Sequence, residues 1–311
     1  MNDPTGILIV DKPAGMSSHD VVDRVRRLFH TKRVGHTGTL DPDATGVLVL
    51  CLGAATRVAE YLSSASKHYT SDVVFGRRTD TMDASGTCLE TIDASHLTEG
   101  TVLGLLPGFR GRILQMPPMV SARHHDGKRL YELARAGITV EREAREVEIS
   151  ELELVEFRPG AEPSARFEIT CSTGTYIRVL ADDLGTAAGA GAIMQTLRRT
   201  WVGSDKSTAF SLAEAHTLED LERAASDGAL AQTLEPLAAG LRGLAKRRVT
   251  EDGLRRLRHG QSVAISEMID PPNGSGSGDT MVVIIDEHGE VAAIASHGSE
   301  SLRPLKVFMP I

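Results

Sequence analysis

Cysteine is scarce in this 311-residue chain: Cys51, Cys88 and Cys171 are an odd set, widely spaced, with no CxxC pair. That excludes a disulfide framework, and the three read as buried free thiols in a reducing compartment. Long hydrophobic runs are missing too. Nowhere do about eighteen apolar residues stand together, which argues against a membrane-spanning helix. The start, MNDPTGILIVDKP, shows no basic leader and only the short apolar run Ile7 to Val10, so a cytoplasmic protein is expected. Nor is there an excess of positive charge. Lys and Arg number 34 against 42 Asp and Glu, a net charge of −8, so any nucleic-acid binding must rest on local patches.

What is present is an ordinary globular composition, 41% hydrophobic, in a chain long enough for about two domains. Two basic patches stand out. Arg24, Arg26, Arg27, Lys32 and Arg33 form one; Arg242, Lys246, Arg247, Arg248, Arg255, Arg256 and Arg258 form the other. Either fits a solvated helix face as well as an RNA surface. The adjacent His124 and His125 lack carboxylate or Cys partners at ligand spacing, so no metal is expected.

The organising stretch is Gly35-His36-Thr37-Gly38-Thr39-Leu40-Asp41-Pro42-Asp43-Ala44-Thr45-Gly46, followed by the apolar run Val47 to Leu52. Glycines permit backbone shapes other residues resist, and Pro42 biases Asp41 towards an extended conformation, so a carboxylate is presented on a tight loop that enters a core strand. On residue chemistry alone, a turn-forming Asp is the favoured reading of that position. Before the loop, Ile7 to Val10 predicts a strand, and Ser17 with Asp20 starts a helix whose apolar face is Val21, Val22, Val25, Leu28 and Phe29. Beyond it, Val58 to Leu62 reads as helix and Tyr69 to Gly76 as strand. Asp80 and Asp83 read as turn carboxylates that could support a site. Val147 to Phe157 predicts strand pairs, Phe167 to Cys171 a half-buried strand, and Ile177 to Leu184 a helix with Arg178 in its first turn. Ser211-x-x-Glu214 opens a predicted helix to about Asp227. A basic helix-like stretch ends at His259-Gly260, and Met281 to Ile285 with Val291 to Ala295 predicts a hairpin.

GHTGTLDPDATG, with DKPAGMSS before it and KHYTSDVVFGRRTDTMDASG and CSTGTYIRVLADDLG after it, resembles the TruB family of tRNA pseudouridine synthases. The resemblance implies an α+β fold. A catalytic domain with a central antiparallel-rich sheet would span 1–240, with an RNA-contacting insertion at about 120–145, and a small β-rich PUA-like domain 241–311. It implies isomerisation of uridine 55 in the T loop of tRNA, with no cofactor. Asp41 is then the nucleophile, Tyr69 the aromatic that stacks on the base and takes part in proton transfer, and Arg178 the ion partner of Asp41. Tyr176, His36, Lys12, Thr39, Arg123 and Lys128 are expected to bind substrate, His36 by helping to reorganise the tRNA. Val120 stands where many members have tyrosine and His124 where many have lysine, which predicts weaker, more pH-sensitive phosphate contact there. The LRRT segment at Arg198-Arg199-Thr200 resembles the end of the catalytic domain.

That chemistry needs one ionised carboxylate, a cation to keep it charged in a dry pocket, and an aromatic face for an extruded base. Three rival readings remain. A glycoside hydrolase would need a second carboxylate converging on one bond, which Asp43 at i+2 across Pro42 does not supply. A tRNA chaperone fits the basic patches equally well. A guide-RNA-dependent synthase would need protein partners, whereas the stand-alone reading expects a monomer that needs none.

Overall fold

The computed structural model describes residues 4–119, 124–125, 128–129, 138, 140–269 and 280–308. Arg123 and the segment 271–279 therefore lie outside the described residues. Strand β1 (Gly6–Lys12) leads into helix α1 (Ser18–Leu28), which Ser17 and Asp20 close with a reciprocal capping box. Strands β2 (Val34–His36) and β3 (Thr45–Leu52) bracket the glycine-rich loop. A 3₁₀ turn at Gly53–Val58 and helix α2 (Ala59–Ser63) precede β4 (Ser66–Phe75), β5 (Arg77–Thr79), β6 (Cys88–Thr91), α3 (Glu99–Leu105) and β7 (Gly111–Gln115). The short pair β8 (His124–His125) and β9 (Lys128–Arg129) precedes β10 (Arg145–Arg158), β11 (Ser164–Cys171), α4 (Ile177–Ala187), β12 (Ala192–Gly203), β13 (Phe210–Ser211) and α5 (Leu218–Ser226).

The main sheet runs β1-β3-β12-β4-β11-β10-β7, with β2 on β3 and β13 on β12. It is antiparallel except for one short parallel contact, where Arg198 and Arg199 of β12 meet Thr45 and Gly46 of β3. That contact explains Gly46. Its φ is +102°, and a Cβ there would lie 2.1 Å from the carbonyl oxygen of Arg199. Gly46→Ala is expected to lower unfolding free energy by at least about 2 kcal/mol in chemical denaturation, because the strain and the clash add.

Strand β4 alternates with a period of two, burying Lys67, Tyr69, Ser71, Val73 and Phe75 on one face. Helix α4 packs on that face, and Tyr69, Phe75, Ile177, Leu180 and Leu184 share its core. A second sheet, β14 (Ala245–Arg247), β16 (Thr280–Ile285), β17 (Val291–His297), β18 (Ser301–Val307) and β15 (Val263–Ala264) in that spatial order, carries helix α6 (Glu251–Arg258). Val283, Val291 and Ile294 of this sheet join Ile7, Ile9, Val47 and Val49 in one apolar cluster. The arrangement is α+β, with a β-rich C-terminal part.

Several expectations are corrected. Val147 to Phe157 lies in one 14-residue strand, bent by register shifts, rather than in strand pairs. The helix expected from Ser211 splits into a 3₁₀ turn at Leu212–Glu214 and a separately capped α5, because Thr217 and Asp220 form a second capping box. The basic stretch from Ala245 begins as strand β14 before helix α6. Cys88 is exposed, on the short strand β6, whereas Cys51 and Cys171 are buried. At least three of the seven residues of the C-terminal basic patch are ion-paired: Arg242 pairs with Glu214 and Glu235 and lies over Phe210, and Arg255 and Arg256 pair with Asp252.

Candidate active site

The Gly38–Ala44 loop is fastened from several sides through its backbone. Lys12, fully buried at the end of β1, donates to the carbonyls of Pro42 and Ala44, each at 2.8 Å. Burial pushes the pKa of its ammonium down to about 8. Ser18, at the start of α1, donates to the Leu40 carbonyl at 3.1 Å and accepts from the Leu40 N–H at 2.8 Å. Arg199, 2% exposed, donates from Nε to the Val47 carbonyl at 2.7 Å and from Nη2 to the Gly38 carbonyl at 3.0 Å. The loop is thus preorganised, and its one free product is the direction of the Asp41 side chain.

Asp41 faces a cavity of ≈ 310 Å³ lined by Thr39, Lys67, Tyr69, Tyr176, Arg178 and Arg199 among others. Its side chain is 39% exposed, while that of Arg178 is only 4% exposed. The guanidinium grips the carboxylate with two prongs, Nε to Oδ2 at 3.0 Å and Nη2 to Oδ1 at 3.3 Å. Its remaining nitrogen, Nη1, donates to the Thr81 carbonyl at 3.1 Å and sits 3.6 Å from Asp83 Oδ2. Asp83 is fixed in turn, its Oδ1 accepting from Thr81 Oγ1 and Ser85 Oγ, both at 2.6 Å. One buried cation therefore lies between two carboxylates.

Burial holds the Asp41 carboxyl above its ordinary range; Arg178 and Lys12 pull it down and Asp83 pushes it further up. Asp41 must be ionised to act as a nucleophile or electrostatic partner, and a raised pKa means that it takes up its proton early as pH falls. Single-turnover rate against pH is expected to show an acidic limb above the range of a free aspartate.

Tyr69 is buried at the cavity wall with Arg199 lining the same cavity, and burial raises its pKa. The phenol is held neutral. Lys67, two residues earlier on the same strand face, donates to the carbonyls of Ser63 and Ala65, and burial with Arg199 nearby lowers it to about 8.

Of the residues singled out by sequence, Asp41, Tyr69, Arg178, Tyr176 and Thr39 line this one cavity. Lys12 does not face it: its ammonium, expected to touch substrate, is spent on carbonyls of the loop and of Pro13. His36 ends β2, paired in register with Leu50, outside the lining. Lys128 falls on β9, and Arg123 lies outside the described residues. Sequence reasoning assigned no role to Ser18, Gln115 or Arg199. The first and last lie inside quoted motifs, DKPAGMSS and LRRT, but act on backbone far away in the chain. Among the described residues, no group of three His, Cys, Asp or Glu side chains is placed to hold a metal ion, and no helix is long and apolar enough to cross a membrane.

The site therefore sets an ion-paired carboxylate beside a buried tyrosine, on an antiparallel-rich sheet with a β-rich C-terminal part. A Cbf5–Nop10–Gar1 complex contains a chain of similar fold, at TM-score 0.75 and 26% identity, over 98% of this chain and 85% of that one. A second structure, an H/ACA RNP bound to a substrate RNA containing 2′-deoxyuridine, matches in fold at TM-score 0.75 and 24% identity, over the same shares. Residues 26–177 match the N-terminal domain of the TruB family pseudouridylate synthases, and residues 178–242 match the tRNA pseudouridylate synthase B C-terminal domain. Tested against individual relatives, the chain is 47% identical to a tRNA pseudouridine synthase B of Symbiobacterium thermophilum, over 84% of this chain and 83% of that one. It is 40% identical to the protein of that name from Geobacillus thermodenitrificans, over 97% of this chain and 99% of that one. The chain belongs to the TruB family.

Proposed function

We propose that this enzyme isomerises uridine 55 in the T loop of tRNA to pseudouridine, with Asp41 as nucleophile, Arg178 as its ion partner and Tyr69 as the face on which the extruded base stacks. The observation that carries the reading is the two-pronged Arg178–Asp41 pair opening on the cavity beside Tyr69. The names of the relatives support tRNA as substrate.

In the reaction the N1–C1′ bond breaks, the base turns, and a C5–C1′ bond forms. The proton lost from C5 is balanced by one gained at N1, so no electrons enter or leave. Asp41 supplies the negative charge that the sugar or base must meet, and Arg178 keeps it ionised against burial. Extruding a stacked uridine costs a few kcal/mol, which stacking on Tyr69 offsets.

The RNA backbone in this reading runs over α1 and the turn after it. There Arg27, Lys32 and Arg33 are exposed, while Arg24 pairs with Glu222 and Arg26 with Asp23. The reading also assigns a catalytic domain to 1–240, a PUA-like RNA-binding domain to 241–311, and a cytoplasmic monomer that needs no protein partner. Tritium release from tRNA labelled at uridine C5 tests it, against a transcript with cytidine at position 55. Release from the first and none from the second is expected. Binding without any release would leave only a chaperone.

A further inference from the structure

Helix α4 carries Arg178 as its second residue, yet its N-cap, Tyr176, makes no side-chain capping bond. The first turn of a helix leaves backbone N–H groups unpaired unless something satisfies them. Here a side chain from another element serves the cap residue itself. Gln115, the last residue of edge strand β7, is 2% exposed and lies 61 residues away in sequence. Its Oε1 accepts from the Tyr176 N–H at 3.0 Å, and its Nε2 donates to the Tyr176 carbonyl at 3.3 Å. The same carbonyl accepts from the Leu180 N–H at 3.1 Å, the opening bond of the helix. One buried amide thus grips both backbone groups of the residue that begins α4.

We propose that Gln115 is a positioning residue for catalysis: by clamping the backbone of Tyr176 it sets the first turn of α4, and with it the approach of Arg178 to Asp41. The proposal rests on the assignment of Asp41 and Arg178 to catalysis. Its physical basis is that both amide functions of Gln115 are committed to the backbone of one residue, bridging the two peptide units that flank Tyr176, which no apolar residue of the same volume could do. If the turn loosens, the Arg178–Asp41 contact at 3.0 Å is the contact most exposed to the change. Small misplacements of catalytic groups cost rate well out of proportion to their cost in stability.

The test compares the parent with Gln115→Met, which keeps the volume and removes both hydrogen bonds, and with Gln115→Asn, which keeps the amide but falls one methylene short. Single-turnover tritium release from tRNA is measured across pH, together with tRNA affinity and thermal unfolding. Gln115→Met is expected to react on the order of 10- to 100-fold more slowly with unchanged tRNA affinity, and Gln115→Asn to lose less. In both, the acidic limb moves to higher pH, because a weakened Arg178 contact lets burial raise Asp41 further. The groups bearing on that limb are Arg178 of α4, Asp83 of its turn and Lys12 of β1, with Tyr69 and Lys67 of β4 and Arg199 of β12 across the cavity. Only the first is displaced by the substitution. A merely structural role would lower the unfolding temperature and leave the pH profile superimposed on the parent's, which overturns the proposal. Should Gln115→Met not fold, Gln115→Asn decides by the same profile. An Asp41→Asn control separates the two failures, since turnover persisting there removes the catalytic assignment whatever Gln115 does.

Discussion

Asp41→Asn is expected to reduce tritium release from C5-labelled tRNA by at least ~10⁴-fold, the scale seen when a covalent nucleophile is removed, while tRNA affinity stays at the parent value. The separation follows from geometry. Asn keeps the shape and can still accept from Arg178, and the loop that carries it is held by Lys12, Ser18 and Arg199 through backbone groups the substitution does not touch. What disappears is the charge. Filter binding for affinity and single-turnover release for rate check the two halves independently, and substantial residual turnover would return Asp41 to the role of a turn residue.

The second large effect is expected at Arg178. Its guanidinium lies between Asp41 and Asp83 and donates to the Thr81 carbonyl. Arg178→Ala leaves two carboxylates facing the same space without their cation, so Asp41 is driven towards its protonated form at neutral pH. The rate should fall by about 10²- to 10³-fold, the cost typical of losing one preorganised electrostatic contact. Part of the loss should return at higher pH. Arg178→Lys restores a point charge but not the planar fork that spans Oδ1, Oδ2 and Thr81 at once, so an intermediate rate is expected. Full activity in Arg178→Ala would contradict the pairing.

How much of this was legible in the sequence depends on the range of each interaction. The Asp41 loop was visible because glycine and proline act locally on the backbone, and the capping box at Ser17 and Asp20 because its partners are three residues apart. The strand from Tyr69 was visible for the same reason, although β4 begins three residues earlier, at Ser66, and so carries Lys67 on the face of Tyr69. Arg178 was reached only through resemblance, since an arginine in a first turn is ordinarily a surface residue. Nothing local points to Gln115, which meets Tyr176 across 61 residues, or to Arg199, which reaches Gly38 across 161. The basic patches were visible as charge but not as partners: Glu222, which neutralises Arg24, stands 198 residues from it. Composition reports a charge; only the fold reports what the charge faces.

The place of β12 in the sheet has a consequence for biosynthesis. It is the last long strand of the main sheet to be made, yet it lies between β3 and β4, which are made early. Until residues 192–203 leave the ribosome, β3 and β4 lack the strand that joins them, and the loop before β3 lacks the Arg199 clamp. An unfinished chain therefore holds Asp41 on a loop fastened by Lys12 and Ser18 but not by Arg199, and Tyr69 on an edge strand. Such long-range pairing closes late and slowly. The nascent protein carries its basic N-terminal helix well before the cavity beside Asp41 is complete, because that cavity waits for a strand laid down about two-thirds of the way through the sequence.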